Sequence, residues 1–263
     1  MPPSIRDRIH RIWDRLAEFP EPQLSTLGLQ YLLGSVSELI DAHHAYWLSS
    51  LHLRYRDEEQ DPMLGWRPGP VFHYREMPED RAFYRKQVKA TEDGNYIPQE
   101  STINHLRQAG NFRATLLRDH VSPEFFRSEH YQNHFLARGI SDTLYVVAPV
   151  NTDTEVYFCF NRIGTQHPFD TTDLDIAADT IRCLGWFHKK VLLGHGLLVA
   201  HKPLTATERK VMQYLLTELA EKQIAERLKQ KPDTTHKHIC NIYRKFNINS
   251  RAALMAIWLG RSN

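Results

Sequence analysis

The apolar residues of the last sixty positions recur with the period of an α-helix and divide this part of the chain into four short helices. The first starts at Thr205, and the others span residues 221–228, 232–246 and 250–259. Thr205 and Glu208 have the spacing of a capping box, which marks a helix start. Pro232 suits the first turn of the third helix, where a missing amide costs no hydrogen bond. The pattern therefore predicts an all-α domain of four helices.

The predicted third helix has an apolar back and a polar, cationic front. Its buried stripe follows the spacing i, i+3, i+4, i+7 and consists of Ile239, Ile242, Tyr243 and Phe246. Lys237, Asn241 and Arg244 point away from that stripe. Such a helix can lie in the major groove of DNA while it packs on a scaffold. An ordinary amphipathic helix with a solvated face has the same pattern.

Residues 204–259 resemble the LuxR-type (GerE-type) helix-turn-helix of bacterial transcription regulators. The matching residues agree in order without a gap and include Leu204, Thr205, Glu208, Arg209, Val211, Leu215, residues 224–228, Thr234, His238, Asn241, Ile242, Arg244, Lys245 and Arg251. The resemblance implies sequence-specific binding to double-stranded DNA and a role in transcription regulation. RNA polymerase is a further partner that the resemblance allows.

The resemblance also implies which residues contact DNA. On the predicted third helix these are Thr234, His236, Lys237, His238, Cys240, Asn241, Arg244 and Lys245. His236, Lys237 and Cys240 stand where the family often touches base edges, and the family's phosphate contacts lie nearer Thr234, His238 and Asn241.

The chain departs from the family pattern at four positions. Glu218 replaces a usual glycine, Ala220 a serine cap, Thr235 a buried valine and His236 a base-reading lysine. Loss of the serine cap would cost roughly 1 kcal/mol if nothing replaced it. The fold should tolerate these changes, but the operator sequence stays unassigned.

Charge is divided unevenly along the chain. Residues 202–263 hold twelve Lys and Arg against five Asp and Glu, whereas the whole chain has a net charge of only +2. The remaining residues are therefore acidic overall. A basic segment attracts phosphate, which agrees with DNA binding.

The last predicted helix offers candidate contacts between two copies of the chain. Members of the resembled family commonly pair through this helix, so Leu254 and Trp258 are candidate homodimer contacts. A dimer would match a two-fold symmetric operator. Packing in the domain's own core is the alternative for both residues.

The first two hundred residues predict a mixed α and β domain. Helices are expected over 4–18, 23–42, 78–92, 99–108, 122–138 and 171–193, and strands over 45–53, 71–75, 112–119, 143–150 and 155–163, with a turn at 65–70. The predicted fold class is α+β: an antiparallel-sheet sensor domain flanked by helices over residues 1–196, then the helix-turn-helix domain over 197–263. The linker is expected at about 194–203, and the long helix 171–193 should pass a signal to the output domain.

This order of elements resembles GAF or PAS-like sensor domains, and the resemblance is one of topology. A sheet covered by helices leaves room for an effector pocket on one face. The predicted lining is Trp47, Trp66, Arg67, Tyr145, Phe158 and Phe160. Core packing of these aromatics is the alternative, because alternation does not reveal which face holds a cavity.

Other functions of the N-terminal region remain open. Some relatives of the helix-turn-helix family bind acyl-homoserine lactones through a tryptophan, tyrosines and an Asp-Pro pair. Trp47, Tyr55, Asp61 and Trp66 resemble that set, with tighter spacing. A region that binds only a protein partner is a second alternative. An enzyme is not predicted, because the chain has no phosphate-binding glycine loop, G-x-S-x-G or H-E-x-x-H motif.

The sequence predicts neither a metal nor a cofactor. His130 and His134, and likewise His236 and Cys240, are spaced i, i+4, but two ligands do not complete a zinc site. Three widely spaced cysteines form no disulfide framework and fit a reducing cytoplasm. The first residues lack the apolar core of a secretory signal, and no apolar run is long enough to span a membrane. We therefore expect a cytoplasmic protein with no membrane contact.

Overall fold

The structure, a computed structural model, describes residues 4–19, 25–53, 61–92, 96–164, 167–197 and 204–259. The chain forms two compact units, one of Met1–Asp14 and Gln30–Gly185 and the other of Arg15–Leu29 and Trp186–Asn263. The division comes earlier than the predicted boundary at residue 196, because Leu193 packs in the same core as Leu204. Residues 198–203 of the predicted linker lie outside the described residues.

The first unit is built on an antiparallel sheet of five strands, in the spatial order β2-β1-β5-β4-β3. The strands are β1 (His44–His52), β2 (Trp66–Tyr74), β3 (Arg113–Leu116), β4 (Ile140–Asn151) and β5 (Thr154–Ile163). Side chains alternate between the two faces of each strand. On β1 one face carries Ala45, Trp47 and Ser49, all fully buried, so this face holds much of the core.

The helices of the first unit surround this sheet. They are α1 (Ile5–Ala17) and α2 (Ser25–Leu39), whose ends extend into the second unit, followed by α3 (Asp80–Glu92), α4 (Glu100–Leu106), α5 (Leu117–His120), α6 (Glu129–His134) and α7 (Thr171–Arg182). The helix α7 packs on β3 and β4. Among the described residues, none of the helices is long and apolar enough to cross a membrane. The α+β class predicted from the sequence is confirmed.

The turn predicted over residues 65–70 is wrong, because β2 begins at Trp66. Proline is tolerated on an edge strand, where its missing amide faces away from the neighbouring strand. Pro68 pairs with Ser50 at such an edge, next to a register shift in β1. Gly69 permits the close approach, since a Cβ there would lie 2.3 Å from Ser49 Oγ.

Three further predicted elements are interrupted. The predicted strand 112–119 ends at Leu116, where α5 begins. The predicted helix 122–138 is broken at Ser128, whose backbone is extended and whose hydroxyl accepts from the Tyr131 N–H to cap a new helix, α6. A short 3-10 turn lies on either side of α6. The predicted helix 171–193 is interrupted after Arg182, and α8 (Gly185–Gly194) follows. Glycine is a poor helix former, which favours the break before Gly185.

The second unit contains α8 and the four C-terminal helices predicted from the sequence. These are α9 (Ala206–Leu215), α10 (Glu221–Arg227), α11 (Pro232–Phe246) and α12 (Arg251–Trp258). Their core includes Val211, Ile224, Ile239, Ile242 and Phe246. The buried stripe predicted for the third of these helices is thus confirmed, with Tyr243 at its half-buried edge.

Candidate functional site

The turn between α10 and α11 is tightly closed by the backbone. Lys229 adopts a left-handed conformation, with φ of 53°. The backbone amide of Gln230 donates to the carbonyl of Ala225 at 2.9 Å. The backbone amide of Lys229 donates to the carbonyl of Glu226 at 3.1 Å. These two bonds are those of a Schellman motif, which ends a helix and turns the chain sharply. The pair α10 and α11 therefore forms a helix-turn-helix.

Side-chain hydrogen bonds compensate for two positions at which this chain lacks the family's usual residue. Thr235 is fully buried, and its hydroxyl donates to Gln230 Oε1 at 3.0 Å, so a polar residue is satisfied where valine is usual. Gln223 Oε1 accepts from the Ala220 amide at 2.8 Å, which supplies half of a capping box at the start of α10. Alanine cannot supply the other half, since it has no acceptor.

Arg251 and Glu208 connect the helices of this domain. The Arg251 guanidinium donates to the carbonyls of Leu215 and Leu219, each at 2.7 Å, and to that of Thr217. The predicted capping box of α9 is confirmed: the Thr205 amide donates to Glu208 Oε2 at 2.7 Å, and the Glu208 amide donates to Thr205 Oγ1 at 3.2 Å. These contacts satisfy helix-end groups that would otherwise need water.

The outer face of α11 presents most of the predicted DNA-contact residues to solvent. Thr234, His236, Lys237, Cys240 and Arg244 are exposed, and His238, Asn241 and Lys245 are half-buried. Several already have partners within the domain. His236 Nδ1 lies 3.1 Å from Glu221 Oε2, and Arg244 donates to Asn241 Oδ1 at 3.2 Å. Lys237 lies on this face and has no hydrogen bond or ion pair with the part of the chain that the structure describes, which leaves its charge available to an external anion.

Of the two predicted dimer contacts, the structure places one in the core. Leu254 is 2% exposed and packs among the core residues of the C-terminal helices. It is therefore unavailable to a partner chain, and that prediction is corrected. Trp258 is half-buried and packs at the margin of the same core, and Leu259 beside it is 59% exposed.

A cavity of about 240 Å³ lies in the first unit, on one face of the sheet. This is the volume of roughly eight molecules of liquid water at ~30 Å³ each. The cavity is partly open, and its wall is mainly apolar with polar groups interspersed. The lining residues include Tyr46, Leu48, Val71, His73, Asp80, Phe83, His105, Phe135, Arg138, Tyr145, Tyr157 and Cys159. An apolar wall with a few convergent polar groups is typical of a small-molecule site.

The cavity lies on the sheet face opposite to most of the predicted lining. Tyr46, Tyr145 and Cys159 are cross-strand partners on the cavity face, whereas Trp47 and its partner Phe158 lie on the other face. Phe160 is also on that other face, so Trp47, Phe158 and Phe160 are core residues and do not line this cavity. Of the predicted lining, Tyr145 alone is in the cavity wall.

The other predicted pocket residues lie beside the cavity wall. Trp66 packs with Met63 and Leu106, both of which line the cavity. Arg67 is committed to an ion pair, with Nη2 2.8 Å from Asp61 Oδ2. Asp61 also accepts from the Met63 amide at 3.0 Å, so it stabilises the turn before β2. Tyr55, the remaining member of the lactone-type set, lies outside the described residues.

The first polar group of the cavity wall is the Asp80 cluster, which consists of His44, His73, Asp80 and Arg138. His44 Nε2 lies 3.0 Å and His73 Nδ1 3.2 Å from Asp80 Oδ2, and Arg138 pairs with Oδ1. Burial acts to raise the pKa of Asp80, but the contacts with both histidines and the Met77 amide outweigh it and hold that pKa below its ordinary value. Asp80 is therefore an anion in a buried site.

The second polar group surrounds His105. The His105 ring lies 4.0 Å from that of His120 and meets Tyr145 edge-on at 4.9 Å. Neither ring nitrogen of His105 has a hydrogen-bond partner among the described residues. Burial, with lesser contributions from His120 and Arg113, lowers the pKa of His105 to about 2. A neutral imidazole thus borders the cavity with its hydrogen-bonding capacity unused.

Arg113 and Glu155 form a buried ion pair beside this imidazole. Arg113 Nη1 lies 3.0 Å from Glu155 Oε1, and Nη2 lies 2.9 Å from Oε2. Glu155 also accepts from the Gly110 amide at 2.7 Å and from the Tyr157 hydroxyl at 3.1 Å. This network positions Tyr157, which lines the cavity.

The two pairs of possible metal ligands noted in the sequence, one of two histidines and one of a histidine and a cysteine, have different surroundings. The rings of His130 and His134 are 4.7 Å apart at the cavity wall, where burial and the neighbouring His134 lower the pKa of His130 to about 4. Cys240 Sγ lies 3.5 Å from His236 Nε2 on the exposed face of α11. Each pair supplies two ligands, and the described residues add no third.

Comparison with known proteins gives one family and a set of similar folds. SdiA in complex with octanoyl-rac-glycerol has a TM-score of 0.46 at 12% identity, covering 100% of this chain and 97% of that chain. The ligand-binding domain of VqsR from Pseudomonas aeruginosa has a TM-score of 0.48 at 12% identity, covering 70% and 96%. Escherichia coli SdiA has a TM-score of 0.45 at 12% identity, covering 98% and 99%.

Among curated proteins, none matches the sequence significantly. Residues 202–258 match the family described as bacterial regulatory proteins, luxR family. That segment contains the Schellman turn, the capping box and the exposed cationic face of α11. The chain therefore carries, over residues 202–258, a helix-turn-helix domain of the luxR family.

Proposed function

We propose that this protein is a sequence-specific DNA-binding transcription regulator that responds to a small amphiphilic effector in its N-terminal domain. The observation that carries the first half is the luxR-family match over residues 202–258, together with the exposed cationic face of α11. A helix that is buried on one side and basic on the other suits insertion in the major groove. Lys237 stands at the centre of that face.

The cavity supports the second half of the proposal. Its wall is mostly apolar, and the unused nitrogens of His105 offer a neutral hydrogen-bonding anchor. A concave, partly open space of this kind favours a small molecule over a protein partner, which would need a flat exposed patch. Acyl-homoserine lactones are one class with the required apolar chain and polar head.

We further propose that the regulator acts as a homodimer through the outer side of α12. Trp258 is half-buried and Leu259 is exposed, so both can contact a second chain. A two-fold pair would space two copies of α11 by about one turn of DNA.

DNA binding is tested by selecting duplexes from a random library with the full-length chain. We expect an enriched motif with two related half-sites, and we expect Lys237→Ala to weaken binding to it. Lys89→Ala is the matched control, because Lys89 is an exposed lysine on α3, outside the helix-turn-helix. Absence of any enriched motif, or unchanged affinity of the Lys237 variant, would refute this assignment.

Effector binding is tested separately by displacing N-phenyl-1-naphthylamine, a neutral fluorescent amphiphile, with acyl-homoserine lactones or with octanoyl glycerol. We expect Leu48→Trp to abolish probe binding, because Leu48 lines the cavity and the larger ring would fill it. Lys89→Trp, an equally large change on an exposed position, should leave probe binding intact. Equal probe binding by both variants would place the probe elsewhere and count against the cavity as the effector site.

A further inference from the structure

The Asp80 cluster brings together three metal-ligating groups from three different elements. His44 is the first residue of β1, His73 is near the end of β2, and Asp80 is the first residue of α3. Their donor atoms all lie within 4.8 Å of one another. His44 and Asp80 are almost completely buried, and His73 and Asp80 line the cavity.

Two of the donor spacings, those from Asp80 Oδ2 to each histidine nitrogen, suit a transition metal. In a tetrahedral site with bonds of about 2.0–2.1 Å, neighbouring donors lie about 3.3 Å apart. His44 Nε2 and His73 Nδ1 lie 3.0 and 3.2 Å from Asp80 Oδ2. Two imidazole nitrogens and a carboxylate oxygen form a donor set that binds zinc and its first-row neighbours.

The groups around these donors are placed to hold the donor side chains in position, as the hydrogen-bond partners of metal ligands usually are. Arg138 pairs with Asp80 Oδ1, while Oδ2 faces both histidines and also accepts from the Met77 amide at 2.7 Å. Asn161 contacts His44 Nδ1 at 2.8 Å and is itself bonded to the Thr143 hydroxyl at 2.8 Å, which fixes the ring orientation. Ligating histidines usually have their second nitrogen held in this way. A metal on Nε2 leaves the ring proton on Nδ1, so the Asn161 amide must present its oxygen there, which a flip of the amide allows.

We propose that His44, His73 and Asp80 bind a divalent transition metal ion of the zinc class. Since His73 and Asp80 face the cavity, the remaining coordination position is directed into it, where water or a donor atom of a bound molecule can occupy it. The neutral His44 ring keeps its one proton on Nδ1 when Nε2 binds the ion, so this ring changes tautomer and releases no proton. The Arg138 charge beside Asp80 opposes a second cation, which predicts weaker binding than at a closed structural zinc site. This departs from the metal-free chain expected from the sequence.

The proposal does not depend on DNA or effector binding and is tested with the metal alone. The full-length chain is freed of metal with a chelator and titrated with Co²⁺, whose visible spectrum reports nitrogen and oxygen ligands, and then with Zn²⁺ in competition. We expect one Co²⁺ per chain, displaced by Zn²⁺. His73→Gln should weaken Co²⁺ binding at least tenfold. The glutamine amide can still donate to Asp80 in place of His73 Nδ1, so this variant should fold.

The matched control is His134→Gln, which removes a histidine from the wall of the same cavity but from the other candidate pair. It should leave the Co²⁺ spectrum and affinity unchanged. Failure of the unmodified chain to bind Co²⁺ would overturn the proposal whatever the variants do. Loss of binding in His134→Gln with retention in His73→Gln would equally overturn it, because the ion would then belong to the His130–His134 pair.

Discussion

Lys245 Nζ lies 2.7 Å from Glu208 Oε2 and thereby connects the last turn of α11 to the first turn of α9. Glu208 is 4% exposed, and the same oxygen accepts from the Thr205 amide. Two lysines of one helix therefore have different surroundings: Lys245 neutralises a buried carboxylate, whereas Lys237 projects into solvent. Their contributions to stability and to DNA binding should separate.

Lys237→Ala should weaken binding to the selected operator duplex by about 1–3 kcal/mol, the cost of one lost base contact, without changing the free energy of unfolding. Lys245→Ala should instead lower the free energy of unfolding by about 1–2 kcal/mol, because it leaves Glu208 buried without its cation. Titrations of DNA binding and guanidinium denaturation of both variants provide the measurements. Equal destabilisation by the two substitutions would contradict this division.

Ala220→Ser should stabilise the C-terminal domain. Ala220 has the extended backbone of an N-cap, with φ of −71° and ψ of 157°, and Gln223 already bonds to its amide. A serine hydroxyl would accept from the Gln223 amide and complete the capping box, which is worth about 1 kcal/mol. Thermal unfolding measures the gain, and Ala220→Val, which offers no acceptor, should show none.

Glu155→Gln should destabilise the N-terminal unit strongly. The carboxylate faces the buried Arg113 guanidinium in a two-bond pair, and breaking one partner of such a pair costs about 3–5 kcal/mol. Denaturant unfolding of the variant tests this. The double variant Arg113→Met with Glu155→Leu should recover much of the loss, since it removes both charges together. A loss below about 1 kcal/mol in the single variant would mean that water reaches the pair.

Acidification should unfold the N-terminal unit partly through His105. Burial lowers its folded-state pKa from the ordinary 6.5 to about 2, so the unfolded chain binds this proton more readily. The free energy of unfolding is therefore unaffected by this group above pH 6.5, where His105 is neutral in both states. It decreases progressively as the pH falls from 6.5 toward 2, because only the unfolded chain takes up the proton. Between pH 7 and pH 5 the loss attributable to one such group is about 2 kcal/mol.

The contribution of His105 is isolated by comparing pH profiles of unfolding for the unmodified chain and His105→Phe. The variant keeps a ring of similar shape and has no titrating group, so its profile should be flatter over this range. Parallel profiles would show that His105 is solvated in the folded state.

The C-terminal domain was predictable from sequence because its signals are local. The capping box of Thr205 and Glu208 and the stripe of Ile239, Ile242 and Phe246 involve residues within two turns of each other. The hydrogen bond from the Thr235 hydroxyl to Gln230 is also local. However, nothing in the sequence distinguishes this glutamine from one whose side chain is exposed to solvent. The burial of Leu254 was missed because its spacing fits a core face and a dimer face equally well.

The N-terminal elements were predicted in order, whereas the cavity was assigned mainly to the wrong face of the sheet. Alternation shows that Tyr46 and Trp47 point to opposite sides, but which side is covered by helices depends on contacts far apart in sequence. The three donors of the Asp80 cluster are likewise brought together by pairing of β1 with β2 and by the start of α3. Their spacing along the chain matches no familiar metal motif.

The alternation along β1 separates the residues that shape the cavity from those that form the core within the same nine residues. Substitutions at Tyr46, Leu48 or Ser50 would reshape the cavity while the core side chains of Ala45, Trp47 and Ser49 stay in place. The shape of the cavity can therefore change one residue at a time, without loss of the fold. Deleting a single residue within the strand would do the opposite: it would exchange the two sets and leave tryptophan in the cavity and tyrosine in the core.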